Sequence, residues 1–407
     1  MPHQLRAFPA RTFARRTTPA GSSTTADRWA LTRVQRSIPS ARVGLALWDG
    51  FEVQPARGAP VATVVFKSRR ALLATIWDPD LNLGEAYMRG EVEVEGDLVG
   101  MLSDVYRALE RRKPRPWWRS LHSNGLRQAR ENVHRHYDLG NDFYRLWLDR
   151  EMVYTCAYFP APEETLEAAQ LAKMDLVCRK LALAPGDRVV EAGCGWGSLA
   201  IFMARHYGVH VRAFNVSAEQ IAFARQRARE ESAGDRVEFI EDDYRNVRGE
   251  YDAFVSVGMI EHVGPAHYGA LGEVIARSLT QRGRGLLHFI GRSQPGELNP
   301  WIRKRIFPGA HIPTLPEVFE GVLEASNFAA LDVENLRLHY EVTLDHWRHR
   351  FESATDEVAK LFDEAFVRAW RLYLAGSQAA FATGSLQLFQ IVFARGSSNA
   401  IPWTRAT

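Results

Sequence analysis

Three glycines within five positions, Gly193, Gly195 and Gly197, separate an apolar run from a helical pattern. The residues before them, 188–190, are typical of a buried strand of a parallel sheet, and residues 198–206 after them are typical of a helix. Glycine lets the backbone approach a ligand closely, and the start of a helix offers free N–H groups. The segment predicts the ligand-binding corner of a doubly wound fold, although a tight turn would use the same glycines.

The spacing of the glycines bears on which ligand this corner would bind. A dinucleotide fingerprint requires G-x-G-x-x-G and a carboxylate about 20 residues further on, for the ribose hydroxyls. Here position 198 is serine, and the next predicted strand, VHVRAFN, ends in Asn215 rather than an acid. Glu191 before a G-x-G-x-G turn is typical instead of an S-adenosylmethionine pocket.

Strands and helices alternate after residue 136 in the order of a parallel α/β sheet. Ligands of such sheets bind at the carboxyl ends of the strands. The rule directs attention to the residues that follow each predicted strand, namely 193–197, 215–220, 243–244, 258–262 and 288–291. We expect the functional groups of the protein to lie there.

The composition of the whole sequence limits the class of protein. At 407 residues it is long enough for two domains, and 46% hydrophobic residues with a net charge of +3 are ordinary for a globular enzyme. Cys156, Cys178 and Cys194 form no C-x-x-C pair and no even disulfide set, which favours a reducing compartment and argues against structural zinc. No apolar run approaches the roughly 20 residues that span a bilayer. We expect a cytoplasmic protein without a metal.

Composition also suggests domain boundaries. Residues 1–40 are rich in Arg, Ser and Thr, which fits a solvated tail or a transit peptide, and we predict a disordered tail. The pattern of short strands, turns and a helix over residues 41–110 predicts a small α+β domain. Residues 111–135 carry eight basic residues, one acid and two adjacent tryptophans, which suits a basic linker at an anionic membrane surface or a merely solvated linker. No nucleic-acid-binding module accompanies these charges, so we predict no nucleic-acid partner.

Eight motifs then identify a family by their order. They are HYDLGNDFYRLWLD, MVYTCAYF, EAGCGWGSLA, NVSAEQ, DYRNV, VSVGMIEHVGPAHY, LLHFIG and WIRKRIFPGAHIP. Over residues 130–395 the sequence resembles cyclopropane-fatty-acid synthases and the mycobacterial mycolic acid cyclopropane synthases. The resemblance implies a Rossmann-like class I methyltransferase sheet in residues 136–395, preceded by the smaller α+β domain and followed by a tail at 396–407.

The resemblance implies a reaction as well. S-adenosylmethionine would supply a methylene unit to the cis double bond of an unsaturated phospholipid acyl chain, and bound bicarbonate would be the base. The positions that match the bicarbonate site are Glu261, His288 and Tyr340, with backbone N–H groups at Cys156 and Ile290. Taken singly, each of these residues also fits a structural role in a core.

The same resemblance assigns the methyl donor to one set of residues and the acyl chain to another. The donor set is Tyr154, Thr155, Gly193, Gly195, Asn215, Gln220 and Tyr244. The aromatic residues that would line an acyl tunnel, or simply fill a core, are Phe143, Phe159, Trp301, Phe307 and Phe389.

Two other interpretations stay open. A related C-methyltransferase of fatty acyl groups would give a methylene or methyl branch, and a protein of another class would bind lipid without activity. We expect a homodimer that associates peripherally with the membrane.

Overall fold

The computed structural model describes residues 21–110 and 139–400. Contacts divide the protein into two compact units, one formed by the described parts of 1–113 with 351–379, the other by those of 114–350 with 380–407. The strands are β1 Val43–Leu47, β2 Glu52–Val53, β3 Ala62–Phe66, β4 Val92–Gly96, β5 Arg188–Ala192, β6 His210–Asn215, β7 Val237–Glu241, β8 Tyr251–Val257, β9 Leu279–Gly291, β10 Phe328–Asn335 and β11 Gln387–Arg395.

The α-helices follow the same sequence order. They are α1 Thr25–Ser37, α2 Arg69–Trp77, α3 Pro79–Met88, α4 Leu98–Glu110, α5 Asn141–Arg145, α6 Leu166–Leu181, α7 Ser198–Tyr207, α8 Ala218–Glu230, α9 Ile260–Val263, α10 Tyr268–Ser278, α11 Pro300–Arg305, α12 Leu315–Val318, α13 Arg337–Ser353, α14 Thr355–Leu361 and α15 Glu364–Thr383.

The first unit includes residues 41–110, for which the sequence predicts a small α+β domain, and it contains both helices and a sheet. Its sheet has the strand order β2-β1-β3-β4, with β1 antiparallel to β2 and parallel to β3. The turn at Asp49 and Gly50 joins β1 to β2, as the alternating pattern around it indicates, and Gly50 has a φ of +84°.

Residues 25–37, which the sequence analysis places in a disordered tail, form helix α1 instead. Thr24 caps the helix, and its hydroxyl and the Asp27 side chain each accept a hydrogen bond from the other residue's backbone N–H. Asp27 also pairs with Arg69 at 2.6 Å, and Leu31 is fully buried. The capping box and the buried leucine hold this stretch in the first unit.

Residues 351–379 also belong to the first unit, whereas the sequence analysis places them inside the domain 136–395. The Arg368 guanidinium donates to the carbonyls of Tyr87 and Val92, at 2.6 and 2.9 Å, and to the Glu93 carboxylate. Ala375 lies in the same buried cluster as the strands of the first unit. These contacts attach the segment to that unit.

The second unit contains, within its described residues, a seven-stranded sheet of order β10-β11-β9-β8-β5-β6-β7. The neighbouring strands β9, β8, β5, β6 and β7 are parallel, as predicted. Strand β11 is antiparallel to both of its neighbours, β9 and β10. The strand order reverses at β5, because β6 lies on one side of it and β8 on the other. A doubly wound sheet binds its ligand at such a switch point, at the carboxyl ends of the strands.

Helices cover both faces of this sheet and bury its side chains. One buried cluster joins the apolar faces of α6, α7 and α8 to the sheet, and the other joins α10 and the segment 318–323 to it. Across residues 21–110 and 139–400, no helix is long and apolar enough to span a membrane.

Candidate active site

The glycine turn after β5 contains glycines with different surroundings. Gly197 has a φ of +84°, and a Cβ atom there would lie 2.6 Å from the Phe239 ring and 2.8 Å from the Ala224 Cβ. Gly195 has a φ of +52°, but a Cβ atom there would meet no atom within 4 Å. Gly197 therefore serves close packing, whereas the backbone at Gly195 faces open space in which a ligand can lie.

Gly195, Asn215 and Gln220, all predicted to bind the donor, lie in one hydrogen-bonded group. The Asn215 side-chain amide donates to the Gly195 carbonyl at 3.2 Å and to the Gln220 amide oxygen at 2.7 Å. Gly193 is tied to the same strand end, since its N–H donates to the Phe214 carbonyl. The ends of β5 and β6 thus bring these predicted residues together.

Some buried polar atoms at the carboxyl ends of β5, β6 and β7 have no partner among the described residues. Among the described residues, the Gln220 amide nitrogen, the Tyr244 hydroxyl and the Glu191 Oε2 are buried and make no hydrogen bond. A buried polar atom without a partner is unfavourable, so such atoms mark places where a polar ligand completes the site. The set fits S-adenosylmethionine, whose ribose, adenine and amino acid groups offer both donors and acceptors.

The loop 152–157 is held by helix α6. The Gln170 amide donates to the Thr155 carbonyl at 2.9 Å, and the Lys173 ammonium donates to the Thr155 hydroxyl at 3.0 Å. Burial raises the pKa of Glu191, and the charge of Lys173 moderates this shift. Burial lowers the pKa of Lys173, and Asp149, followed by Cys156 and Glu191, moderates that shift. Tyr154, predicted to contact the donor, packs its ring against Trp147 and Trp347.

Cys156 is fully buried in the same loop. Burial raises the pKa of its thiol well above the ordinary value, so the sulfur stays protonated. The Thr343 hydroxyl lies 4.0 Å from the sulfur and accepts a hydrogen bond from the Ala157 N–H. This environment suits a backbone role for Cys156 and does not suit a sulfur nucleophile.

Glu261 lies in the short helix α9, just beyond the end of β8. Because β8 ends at Val257, the Ile290 N–H of β9 has no ladder partner there, and it donates to Glu261 Oε1 at 2.6 Å. Glu261 Oε2 is buried and has no partner in the described structure. Burial raises the pKa of this carboxyl to about 7. The predicted anion-site residues Glu261 and Ile290 are therefore in direct contact.

His288 lies two residues before Ile290, on the same face of β9. Its Nδ1 lies 3.0 Å from the Gln390 amide nitrogen, and its Nε2 is buried without a partner among the residues described. Burial, together with the cations Lys173 and Lys180, lowers the pKa of His288 to about 3. The imidazole is thus neutral at physiological pH.

Tyr340 lies in the first turn of α13. Its ring packs against Phe381, with centroids 4.5 Å apart, and against Trp347. Thr343, one turn further along α13, contacts the Cys156 loop. The helix therefore brings Tyr340 near the loop that carries Cys156.

The aromatic residues predicted to line an acyl tunnel have packing contacts. Phe143 packs on Tyr144 and Trp147, Phe159 stacks on His346, Phe307 lies beside His262, Phe389 lies beside Phe289, and Trp301 is buried. Their place in a tunnel stays a prediction.

Sequence reasoning missed the polar residues that support the site from α6 and β11. Gln170, Lys173 and Lys180 recur at helical spacing and are all buried. Polar residues on the apolar face of a helix are the signal that could have pointed to them. No comparable local pattern in the sequence indicated that Gln390 supports the site. Within the described ranges, no group of three or more His, Cys, Asp or Glu residues is placed to hold a metal ion.

Comparisons with known proteins agree with this geometry. The family model described as mycolic acid cyclopropane synthetase matches residues 124–391, and a model of a domain of unknown function matches residues 31–112. A Pseudomonas putida protein named "Probable fatty acid methyltransferase" is 37% identical over 89% of this chain and 94% of its own length.

The cyclopropane-fatty-acyl-phospholipid synthase of Escherichia coli K12 is 38% identical over 84% of this chain and 91% of its own length. A solved mycolic acid cyclopropane synthase, in complex with SAH and CTAB, is 31% identical with a TM-score of 0.62, covering 65% of this chain and 97% of that one. SAH is what remains of S-adenosylmethionine after methyl transfer. The chain belongs to the mycolic acid cyclopropane synthetase family and is an S-adenosylmethionine-dependent methyltransferase of the Rossmann-like class I fold.

Proposed function

We propose that the protein converts the cis double bond of unsaturated phospholipid acyl chains into a cyclopropane ring, with S-adenosylmethionine as donor and bicarbonate as base. The proposal extends to this protein the activity named for the Escherichia coli relative. The observation that carries it is a pair of buried polar atoms without partners among the described residues, Glu261 Oε2 and His288 Nε2, on motifs that the family resemblance assigns to a bicarbonate site.

An alkene is a weak nucleophile, so the reaction needs close alignment and a dry site. Bound S-adenosylmethionine would supply an electrophilic methyl group. In the proposal Gly193, Gly195, Asn215 and Gln220 hold it at the ends of β5 and β6, while Tyr154, Thr155 and Tyr244 surround it. These residues orient the donor and contribute no proton.

The base in the proposal is an anion held by the protein, because ring closure requires that the added carbon lose a proton. Glu261 Oε2 would accept a hydrogen bond from the bicarbonate hydroxyl, and His288 and Tyr340 would donate to its other oxygens. The Ile290 N–H, which bonds to Glu261, orients that carboxylate, and the Cys156 backbone would add a donor. Such an arrangement keeps a charged protein base away from the acyl carbons.

Glu261→Gln tests the proposal, with Glu273→Gln on the exposed face of α10 as the matched control. The amide keeps the side chain's shape and loses the charge, so we expect SAH binding by calorimetry to persist while turnover falls at least about a hundredfold. Removing carbonate from the buffer should slow the native enzyme. A Glu261→Gln variant with a near-normal rate, or indifference to carbonate, would remove the anion site from the mechanism.

A second candidate is a C-methyltransferase of fatty acyl groups that forms a methylene or methyl branch. The name of the Pseudomonas putida relative, a fatty acid methyltransferase, favours it. Both reactions begin with methyl transfer to an alkene carbon, which leaves a cation on the neighbouring carbon. A ring forms when the added methyl group loses a proton and its carbon closes on that cation. A methylene branch forms when a hydride shift first moves the cation onto the methylated carbon, and a methyl branch requires in addition a reductant that supplies a hydride. Lipid product analysis separates the two. An inactive lipid-binding protein would show no turnover with either product.

We further propose that residues 111–135, which lie outside the described residues, bind an anionic membrane surface, and that the enzyme is a cytoplasmic homodimer at that surface. The basic charge and tryptophans of this segment support the membrane-binding part of the proposal. Replacing Arg111, Arg112, Lys113 and Arg115 by glutamine should weaken co-sedimentation with anionic vesicles and leave SAH binding unchanged. Unchanged co-sedimentation at low salt would refute the membrane role.

A further inference from the structure

A buried series of hydrogen-bonded side chains runs away from His288 on the side opposite its unpartnered nitrogen. His288 and Gln390 are directly opposed residues of β9 and β11, and their side chains share one face of the sheet. The Gln390 amide oxygen in turn accepts a hydrogen bond from the Lys180 ammonium at 2.8 Å. Lys180 also pairs with Glu334 and lies 3.6 Å from Asp332. His288, Gln390 and Lys180 are all buried.

The direction of each hydrogen bond in this series follows from its far end. An ammonium group only donates, so the Gln390 oxygen must face Lys180. The amide NH2 group then faces His288, and it can only donate. His288 Nδ1 must therefore accept, which leaves the ring proton on Nε2.

The reverse orientation of the amide is disfavoured. It would place an NH2 group against the ammonium and leave two donors facing each other in a buried site. The carboxylates of Glu334 and Asp332 hold the Lys180 ammonium in place, so the ammonium fixes the amide. The amide in turn fixes the imidazole.

We propose that Lys180 and Gln390 are positioning residues that hold His288 as the neutral Nε2–H tautomer, so that this ring presents a hydrogen-bond donor to the anion of the reaction. The inference rests on the proposed function for the identity of that anion. It assigns His288 a donor's role and excludes it as a base at Nε2. In metal sites, partners that orient a ligating imidazole through its other nitrogen change metal affinity or activity by about 10- to 100-fold, and we expect the lower end of that range for an imidazole that orients an anion.

Nitrogen-15 NMR of the imidazole groups tests the tautomer directly on the native enzyme, with His288→Asn to assign the signal. We expect a protonated Nε2 and an unprotonated Nδ1 near neutral pH. A proton on Nδ1 would overturn the inference, and this outcome requires no variant to fold. The measurement does not depend on the lipid product, so it stands apart from any failure of the proposed function.

Gln390→Glu is the matching change, because a carboxylate can only accept and would draw the ring proton to Nδ1. We expect the nitrogen-15 spectrum to show a protonated Nδ1, turnover to fall at least about tenfold and SAH binding to persist. Lys180→Met should give a mixture of tautomers, because the amide is then free to turn.

Gln387→Glu is the control. Gln387 lies three residues away on β11 and bonds to Asn335 and the Gly384 carbonyl instead. The control change should leave the tautomer and the turnover unchanged. An unchanged His288 spectrum in Gln390→Glu would contradict the positioning role. The role would also be contradicted if Gln390→Glu and Gln387→Glu had the same turnover.

Discussion

Glu261 Oε1 lies 2.6 Å from the backbone nitrogen of Ile290, and this bond joins the helix after β8 to the carboxyl end of β9. It exists because β8 stops short and leaves the Ile290 N–H without a ladder partner. The second carboxylate oxygen stays buried and unpartnered among the residues described. The end of the sheet thus holds a buried acceptor in a fixed position, as the proposed binding of a hydroxyl-bearing anion requires.

The titration of Glu261 should appear in the stability of the protein. Burial raises its pKa from 4.5 to about 7 in the folded state. At a pH between these two pKa values, the folded protein therefore keeps a proton that the unfolded protein has lost. The contribution of this group to stability is therefore greatest below the unfolded pKa and falls as the pH rises toward about 7. Denaturant unfolding at about pH 5 and about pH 8 should show a smaller fall for Glu261→Gln than for the native protein. Equal falls would mean that Glu261 titrates normally.

The glycines of the turn after β5 should respond differently to alanine. At Gly197 a methyl group would overlap Phe239 and Ala224 in a positive-φ backbone, so Gly197→Ala should destabilise the fold by about 2 kcal/mol or more. At Gly195 the methyl group enters open space, so Gly195→Ala should cost about 1 kcal/mol of stability but weaken SAH binding clearly. Calorimetry measures the SAH affinity of each variant, and denaturant unfolding measures its stability. Equal effects of the two variants on binding would remove Gly195 from the donor site.

The strand, turn and helix around these glycines could be predicted because each is local in sequence. The residue pattern placed Gly195, Asn215 and Glu261 after predicted strands, and the topology rule put the ligand at that edge of the sheet. Their separate roles came from the family resemblance. Helix α1 was missed although Thr24 and Asp27 form a capping box, because composition was given more weight than that local signal.

Other features depend on contacts that no local pattern contains. Gln390 meets His288 across 102 residues, through the antiparallel register of β9 and β11. Residues 351–379 join the first unit because Arg368 bonds to groups far earlier in the sequence, at Tyr87 and Val92. Neither the strand register nor the distant pairings can be predicted from the residue pattern of a single sequence.

The buried ammonium of Lys173 should make the Thr155 hydroxyl structurally important. Thr155→Val keeps the side chain's volume and removes the acceptor 3.0 Å from Lys173 Nζ, so it should destabilise the protein by about 1–3 kcal/mol. In the presence of Lys173→Met the same change should cost much less, because no donor is then left without its partner. A double-mutant cycle on unfolding free energies measures the coupling, and strictly additive effects would contradict it.

The most direct test of the proposed reaction is the lipid product. Cells that express the protein should contain phospholipids whose cis double bonds have become cyclopropane rings, and the purified enzyme should form them without any nicotinamide or flavin in the assay. Proton NMR of the extracted lipids detects this, because ring methylene protons resonate apart from all other acyl protons. We predict that ring signal, and its loss with Glu261→Gln. A methylene-branch alkene signal without a ring signal would show that a hydride shift moves the cation onto the methylated carbon before the added methyl group loses its proton. A methyl-branch signal without a ring signal would show that a reductant supplies a hydride to the cation. Either result would contradict the proposed reaction.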